Sequence, residues 1–154
     1  MLLLLVRHAN AQAKSHTGKD FDRSLSEKGV MQAIKLGDYL SSLNIIMDHF
    51  YVSGSKRTRE TAKHALNSMA NIKYDDSLYL SGSKELLRII NKLETTSNLL
   101  ILGNNEGISS LASKLTNQYI VLDTANAILI EFNCDNSNEI SAETGKIIDF
   151  FSPT

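Results

Sequence analysis

Arg7 and His8 follow directly on an unbroken apolar run from Leu2 to Val6. A short run without polar residues is typical of a strand that is buried on both faces of a parallel sheet. Open α/β sheets bind their ligands beyond the carboxyl ends of such strands. A cation and an imidazole at this point therefore predict an anion site with a nucleophile in it, although a polar pair after a strand is more often an ordinary loop.

Two further strands end in polar residues, and their loops belong to the same edge of the predicted sheet. The strand His49–Ser53 leads into a helix with Arg57 in its first turn, and the strand that ends at Leu102 leads into a loop that contains Asn104. Because parallel strands share the edge of their carboxyl ends, we expect the three loops to converge. Helix N-termini at that edge favour anions. Arg59 is expected to point elsewhere, into solvent.

Two arginines and a histidine that converge have the chemistry of a phosphoryl site. Arginine presents a fixed fork of donors that matches phosphate oxygens. A neutral imidazole can attack phosphorus and carry the phosphoryl group covalently, which divides one hard transfer into two easier ones. The arginines supply the charge that a metal ion would otherwise bring, and no acidic or histidine cluster has metal-ligand spacing. We therefore expect neither a metal nor a cofactor.

Strands alternate with helices along the chain, and this alternation indicates a three-layer α/β/α fold with a mainly parallel central sheet. Ser26 is the predicted N-cap of a helix over 27–43. Later helices are predicted over 84–93 and through Ile108, Leu111, Ala112 and Leu115, while the helix that contains Arg57 extends through Ala62, Ala65, Leu66 and Met69. A weak strand is predicted at 72–74, further strands at 98–102 and 127–132, and a final antiparallel strand at 145–151. The length of 154 residues suggests a single domain over 1–154.

The bulk composition argues against several classes of partner. The net charge is −1, so nothing favours nucleic acid or an anionic membrane. The apolar N-terminus is too short for a signal sequence, and no segment approaches the ~20 apolar residues of a membrane span. A single cysteine, Cys134, suits a reducing compartment, and we expect the protein to be cytoplasmic. His16, His49 and His64 are expected to be solvated or structural.

The motifs resemble those of the histidine phosphatase superfamily, the phosphoglycerate-mutase-like fold, and in particular its small SixA-type phosphohistidine phosphatases. Arg7-His8-Ala9 resembles the Arg-His-Gly or Arg-His-Ala signature. Four further stretches are similar, in the right order and over essentially the whole chain: 22–29 resembles Asp-Arg-Pro-Leu-Ser/Thr-x-x-Gly, 53–62 resembles Ser-Pro-x-x-Arg-x-x-Gln-Thr-Ala, 103–107 resembles Gly-His-x-Pro-Gly, and 124–127 resembles the Thr-x-Ala entry to a late strand.

This resemblance implies a role for each matching residue. His8 would be the nucleophile that becomes transiently phosphorylated. Arg7 and Arg57 would hold the phosphoryl oxygens, with Arg23 as a further ligand. Larger members of the family carry an acidic proton donor, for which the candidates here are Asp75, Asp76 and Glu85, none of them convincingly placed. An imidazole leaves phosphorus more readily than an alkoxide, so the lack of an acid favours phosphohistidine over sugar phosphates as substrate.

Asn104 stands where the family has its second histidine. The resemblance implies that this histidine donates a charged hydrogen bond to the phosphoryl group, whereas Asn104 in the same catalytic and phosphate-binding position can still donate through its amide but carries no charge. Losing one such donor typically costs about 3–4 kcal/mol, or about a hundredfold to a thousandfold in rate. We therefore expect Asn104 to permit phosphate binding but slow turnover. An engineered substitution, a natural variant and a pseudophosphatase all fit, and the intact remainder of the site favours the first.

Two smaller differences from the family motifs are Gly54 and Glu106, each of which stands where the motif has a proline. Glu106 also brings a negative charge near the anion site.

Three functions remain open at the level of sequence. The first is a phosphohistidine phosphatase that acts on a phosphorelay or phosphotransferase protein. The second is a non-catalytic binder of phosphorylated proteins on the same fold. The third is a small-molecule phosphomonoesterase. A serine hydrolase is disfavoured because the chain has no Gly-x-Ser-x-Gly motif.

Overall fold

The computed structural model describes residues 1–66 and 71–154. Its centre is a six-stranded sheet with the spatial order β3-β2-β4-β1-β5-β6. The strands are β1 (Leu2–Arg7), β2 (His49–Ser53), β3 (Ile72–Asp75), β4 (Leu99–Gly103), β5 (Ala127–Phe132) and β6 (Gly145–Phe151).

Most of the sheet is parallel, as predicted. β1 pairs in parallel with β4, and β2 pairs in parallel with both β4 and β3. β5 runs antiparallel to β1 and forms the predicted antiparallel pair with β6. The carboxyl ends of β1, β2 and β4 therefore lie side by side at one edge of the sheet.

Helices cover both faces of the sheet and complete the predicted three layers. They are α1 (Glu27–Ser42), α2 (Lys56–Ala65), α3 (Ser83–Lys92) and α4 (Gly107–Thr116). Successive side chains of β1 alternate between the faces. Leu4 and Val6 pack in one core with residues of α1 and α2, while Leu3 and Leu5 pack in the other with residues of α3 and α4. This double burial explains why β1 is an uninterrupted apolar run.

The element bounds agree closely with those predicted from periodicity. Ser26 caps α1 as expected, with its Oγ accepting a hydrogen bond from the Gly29 amide at 3.0 Å. α1 and α3 end one residue earlier than predicted, and β4 is shifted by one residue. α2 ends at Ala65, so Leu66, which was predicted to belong to the helix, is its C-cap, and the predicted Met69 lies outside the described residues. None of the helices in residues 1–66 and 71–154 is both long and apolar enough to cross a membrane.

Gly29 allows α1 to begin directly against the loop that follows β1. A Cβ atom at this position would come within 1.9 Å of the Asn10 carbonyl oxygen. That oxygen accepts a hydrogen bond from the Ser26 amide at 3.0 Å. The close approach therefore fixes the helix N-terminus against the loop.

We expect Gly29→Ala to lower the free energy of unfolding by about 1–3 kcal/mol, since the added methyl group must push backbone atoms apart. Denaturant unfolding followed by circular dichroism measures this loss. The matched control is Gly82→Ala, because a Cβ at Gly82 would have nothing within 4 Å. Equal stability of the two variants would contradict the close approach at Gly29.

Candidate active site

The loops after β1, β2 and β4 meet at one edge of the sheet, which confirms the predicted convergence. Arg7 pairs with Gly103 in the β1–β4 register, and the His8 amide donates to the Gly103 carbonyl at 3.1 Å. Arg57, in the first turn of α2, reaches across and donates from its Nε to His8 Nε2 at 3.2 Å. An imidazole and a guanidinium group from distant parts of the chain are therefore in direct contact.

The ring of His8 is held with one nitrogen engaged by its own backbone and the other facing Arg57. Nδ1 lies 2.7 Å from the Ala9 carbonyl oxygen. Because a carbonyl can only accept, Nδ1 carries the proton and Nε2 keeps its lone pair. The side chain is buried, and this burial lowers the pKa of His8 to about 4, with the nearby Arg57, Arg7 and Arg23 adding to the effect. The ring is therefore neutral at physiological pH.

The peptide that orients His8 is itself tied to two other segments. The Ala9 amide donates to Thr61 Oγ1 at 3.0 Å, and the Thr61 hydroxyl donates to the Arg57 carbonyl at 2.7 Å. The Ala125 amide donates to the His8 carbonyl at 3.0 Å. Thr61 and Ala125 belong to two of the motif stretches, so these motifs hold the loop that carries His8.

Every nitrogen of the Arg57 guanidinium group has a partner. Besides the contact to His8, Nη1 donates to the Asp20 carbonyl at 2.8 Å and Nη2 donates to the Asp20 carboxylate at 3.0 Å. Arg57 is only 4% exposed. Asp20 was not among the residues predicted for the site, because it lies in a polar loop that resembles an ordinary solvated segment.

Arg7 and Arg23 both lie close to His8. Arg7 donates from Nη1 to the Leu122 carbonyl at 2.9 Å, while its buried Nε has no hydrogen-bond partner among the described residues. Arg23 donates from Nη1 to the Asp20 carboxylate at 2.9 Å and from Nε to the Gln12 carbonyl at 2.7 Å. A buried donor without a partner is costly, which makes Arg7 Nε available to an anion.

Asn104 lies behind Arg57 and is almost completely buried. In the amide orientation that pairs both of its polar atoms, Oδ1 accepts from Arg57 Nη2 and Nε at 3.0 and 3.1 Å, and Nδ2 donates to Ser53 Oγ at 2.8 Å. The side chain thus orients the guanidinium group, and its amide N–H faces Ser53. The neighbouring Asn105, which was not predicted for the site, lines the cavity beside His8 instead.

The side chains surround a cavity of about 430 Å³ that opens to solvent. Four of the five predicted site residues contribute to its wall, all except Asn104. The full lining is Arg7, His8, Asn10, Ala11, Asp20, Arg23, Arg57, Leu80, Asn105 and Thr124. Asn10 and Thr124 are linked through Gln32, whose Oε1 accepts from the Asn10 amide and whose Nε2 donates to Thr124 Oγ1. Three arginines and one carboxylate, that of Asp20, are therefore part of the cavity wall.

The acidic residues considered as proton donors do not line this cavity. Asp75 accepts hydrogen bonds from the amide and hydroxyl of Ser77, and Glu85 pairs with Arg88 on the surface of α3. The Asp76 carboxylate packs against Gly54. Arg59 is exposed, as expected, and lies over the Tyr74 ring. Within residues 1–66 and 71–154, no group of three or more His, Cys, Asp or Glu is arranged to hold a metal ion.

Comparison with known proteins identifies the family. The model of the histidine phosphatase superfamily, branch 1, matches residues 3–79. The chain belongs to the histidine phosphatase superfamily. An uncharacterized chloroplastic protein of Arabidopsis thaliana is 32% identical over 156 residues, a match that covers 93% of this chain and 72% of that protein.

Solved structures of histidine phosphatases have the same fold. A candidate phosphohistidine phosphatase, SixA from Agrobacterium tumefaciens, superposes with a TM-score of 0.80 at 21% identity, over 99% of this chain and 98% of that one. The protein histidine phosphatase SixA complexed with tungstate gives a TM-score of 0.78 at 16% identity, over 99% and 97% of the two chains. These similarities confirm the phosphoglycerate-mutase-like α/β fold expected from the motifs.

The buried neutral His8 predicts a pH-dependent loss of stability. Its pKa is about 4 in the folded protein and about 6.5 in an unfolded chain. Between these two pKa values the unfolded chain binds more protons than the folded one. His8 therefore leaves the free energy of unfolding unaffected above pH 6.5 and lowers it as the pH drops towards 4. We expect His8→Asn to remove up to about 3 kcal/mol of this pH dependence, as measured by urea unfolding at several pH values. His16→Asn, at an exposed loop position, is the control, and an unchanged profile in His8→Asn would contradict the burial effect.

Proposed function

We propose that this chain is a phosphatase that removes phosphoryl groups from phosphohistidine on a phosphorelay or phosphotransferase protein, through a phospho-His8 intermediate. The observation that carries the proposal is the pairing of His8 Nε2 with Arg57 Nε at 3.2 Å while Nδ1 is held by the Ala9 carbonyl. A neutral, oriented imidazole next to a buried guanidinium group is what nucleophilic attack on a phosphoryl group requires.

In the first step, the lone pair of His8 Nε2 attacks phosphorus and forms a new P–N bond. The P–N bond to the substrate ring breaks, and the ring takes the electron pair. It leaves as neutral imidazole when its second nitrogen already carries a proton, so no acid of this chain has to donate one. In the second step, water attacks phosphorus and forms a P–O bond, the P–N bond to His8 breaks with its electron pair returning to Nε2, and inorganic phosphate leaves with the protons of the water.

The arginines hold the phosphoryl oxygens during both steps. Arg57 and Arg23 supply the guanidinium donors that now pair with Asp20, and Arg7 supplies its buried Nε, which has no partner among the described residues. Such preorganised donors stabilise the charge that develops on the oxygens in the transition state. In this proposal the chemistry depends on arginine charge and needs no metal ion.

Asn104 supports a second candidate function, the binding of phosphorylated proteins without turnover. Its side chain has no ionisable group, and it is engaged by Arg57 and Ser53. In this role the arginines would still bind a phosphoryl group, while the charged donor that the family resemblance implies would be missing. The two functions share the site and differ in the rate of turnover.

We further propose that residues 1–154 act as one histidine-phosphatase-like domain in a reducing compartment, which is consistent with the single free Cys134. The cytoplasm is our first expectation. The chloroplastic Arabidopsis relative makes a plastid the alternative.

Asn104→His should raise turnover of a phosphohistidine protein by about a hundredfold, because the imidazole can supply a charged donor. Release of inorganic phosphate is measured for the wild type and the variant, with a phosphohistidine protein and a sugar phosphate as substrates. Rapid turnover of the phosphohistidine protein alone supports the phosphatase.

The control for this experiment is His8→Ala, introduced both into the wild type and into Asn104→His. It should abolish both turnover and the covalent phosphoenzyme, which can be detected as acid-labile phosphate on the protein. A phosphoenzyme that persists in His8→Ala would refute the nucleophile assignment. No turnover of either substrate by Asn104→His would favour the phospho-protein binder.

A further inference from the structure

A single carboxylate of this chain binds two of the arginines proposed to hold the phosphoryl group. Asp20 Oδ2 accepts from Arg57 Nη2 at 3.0 Å, and Asp20 Oδ1 accepts from Arg23 Nη1 at 2.9 Å. Carboxylate and phosphoryl oxygens are the two anionic groups that a guanidinium fork recognises. Asp20 thus makes the contacts that an oxyanion in this cavity would need.

Neighbouring groups hold the carboxylate in this position. The Tyr79 hydroxyl donates to Oδ2, and the Tyr79 ring packs edge-on against Phe21 with ring centroids 4.9 Å apart. The short 3-10 helix Asp20–Asp22, to which both Asp20 and Phe21 belong, is therefore fixed to the segment after β3. The Tyr79 hydrogen bond, followed by those from Arg23 and Arg57, holds the pKa of the Asp20 carboxyl well below its usual range. The group carries a full negative charge at physiological pH.

We propose that Asp20 is a built-in competitor of the phosphoryl group, so that every oxyanion entering the site must displace the Asp20 carboxylate from Arg57 and Arg23. The inference rests on the proposed function, since it concerns the same anion site. It adds a residue that sets affinity: Asp20 weakens the binding of all phosphoryl compounds, including the phosphate product.

The Asp20 carboxylate can be displaced from the arginines without movement of the backbone. Arg57 Nη1 donates to the carbonyl oxygen of Asp20, a bond that is independent of the carboxylate. Rotation of the Asp20 side chain alone would free Arg57 Nη2 and Arg23 Nη1 while that bond persists. The Asp20 side chain is 45% exposed, so the rotated carboxylate can reach solvent.

Isothermal titration with inorganic phosphate tests the proposal without any need for turnover. Asp20→Asn removes the charge and keeps the shape, and the dissociation constant for phosphate should fall by about fivefold, since partly exposed ion pairs are weakened by solvent. Asp20→Glu keeps a carboxylate and should stay near the wild type. Asp22→Asn is the matched control, because Asp22 belongs to the same short helix but its carboxylate accepts a hydrogen bond from Thr17.

Tighter binding by Asp20→Asn alone supports the competitor. Unchanged or weaker binding by Asp20→Asn, with thermal unfolding like that of the wild type, would overturn it and make Asp20 a positioning residue for the arginines. A separate titration of Arg57→Ala with phosphate shows whether phosphate binds at this site, and so separates a failure of the competitor proposal from a failure of the proposed function. If that variant binds phosphate as the wild type does, phosphate binds elsewhere and the proposed function fails as well.

Discussion

The site depends on the parallel register of the three central strands. Arg7 of β1 lies opposite Gly103 of β4, and Val52 of β2 lies opposite Leu102, so the three strands end at the same level. A slip of one residue would move every side chain of β1 to the opposite face of the sheet and Arg7 away from Gly103. Contact between His8 and Arg57, 49 residues apart, follows from this register.

Much of this arrangement could be predicted from the sequence because it depends on local patterns. The unbroken run from Leu2 to Val6 indicated a doubly buried strand, and Ser26 marked the start of α1 to the residue. His8 was identifiable because it directly follows β1, and Arg57 because it lies in the first turn of the helix that follows β2. The ordered motifs then indicated the superfamily, which the comparisons confirm.

Two features of the site could not be predicted, and both depend on how side chains from distant segments meet. Asp20 lies in a polar loop, and nothing in its neighbourhood signals that Tyr79, 59 residues later, fixes its carboxylate beside Arg57. Its position just before the motif at 22–29 was the one available hint. Asn104 was predicted to contact the phosphoryl group, but its side chain is paired with Arg57 and Ser53 and does not line the cavity, through contacts that no sequence pattern encodes.

The central claim is that His8 Nε2 attacks phosphorus while the arginines hold the oxygens. A crystal structure of the protein soaked with vanadate tests it most directly, since vanadate adopts the five-coordinate geometry of a phosphoryl group in transfer. The account predicts vanadium bonded to His8 Nε2, with donors from Arg7 and Arg57 on its equatorial oxygens. Vanadate bound away from His8, with Nε2 still paired to Arg57, would contradict the account.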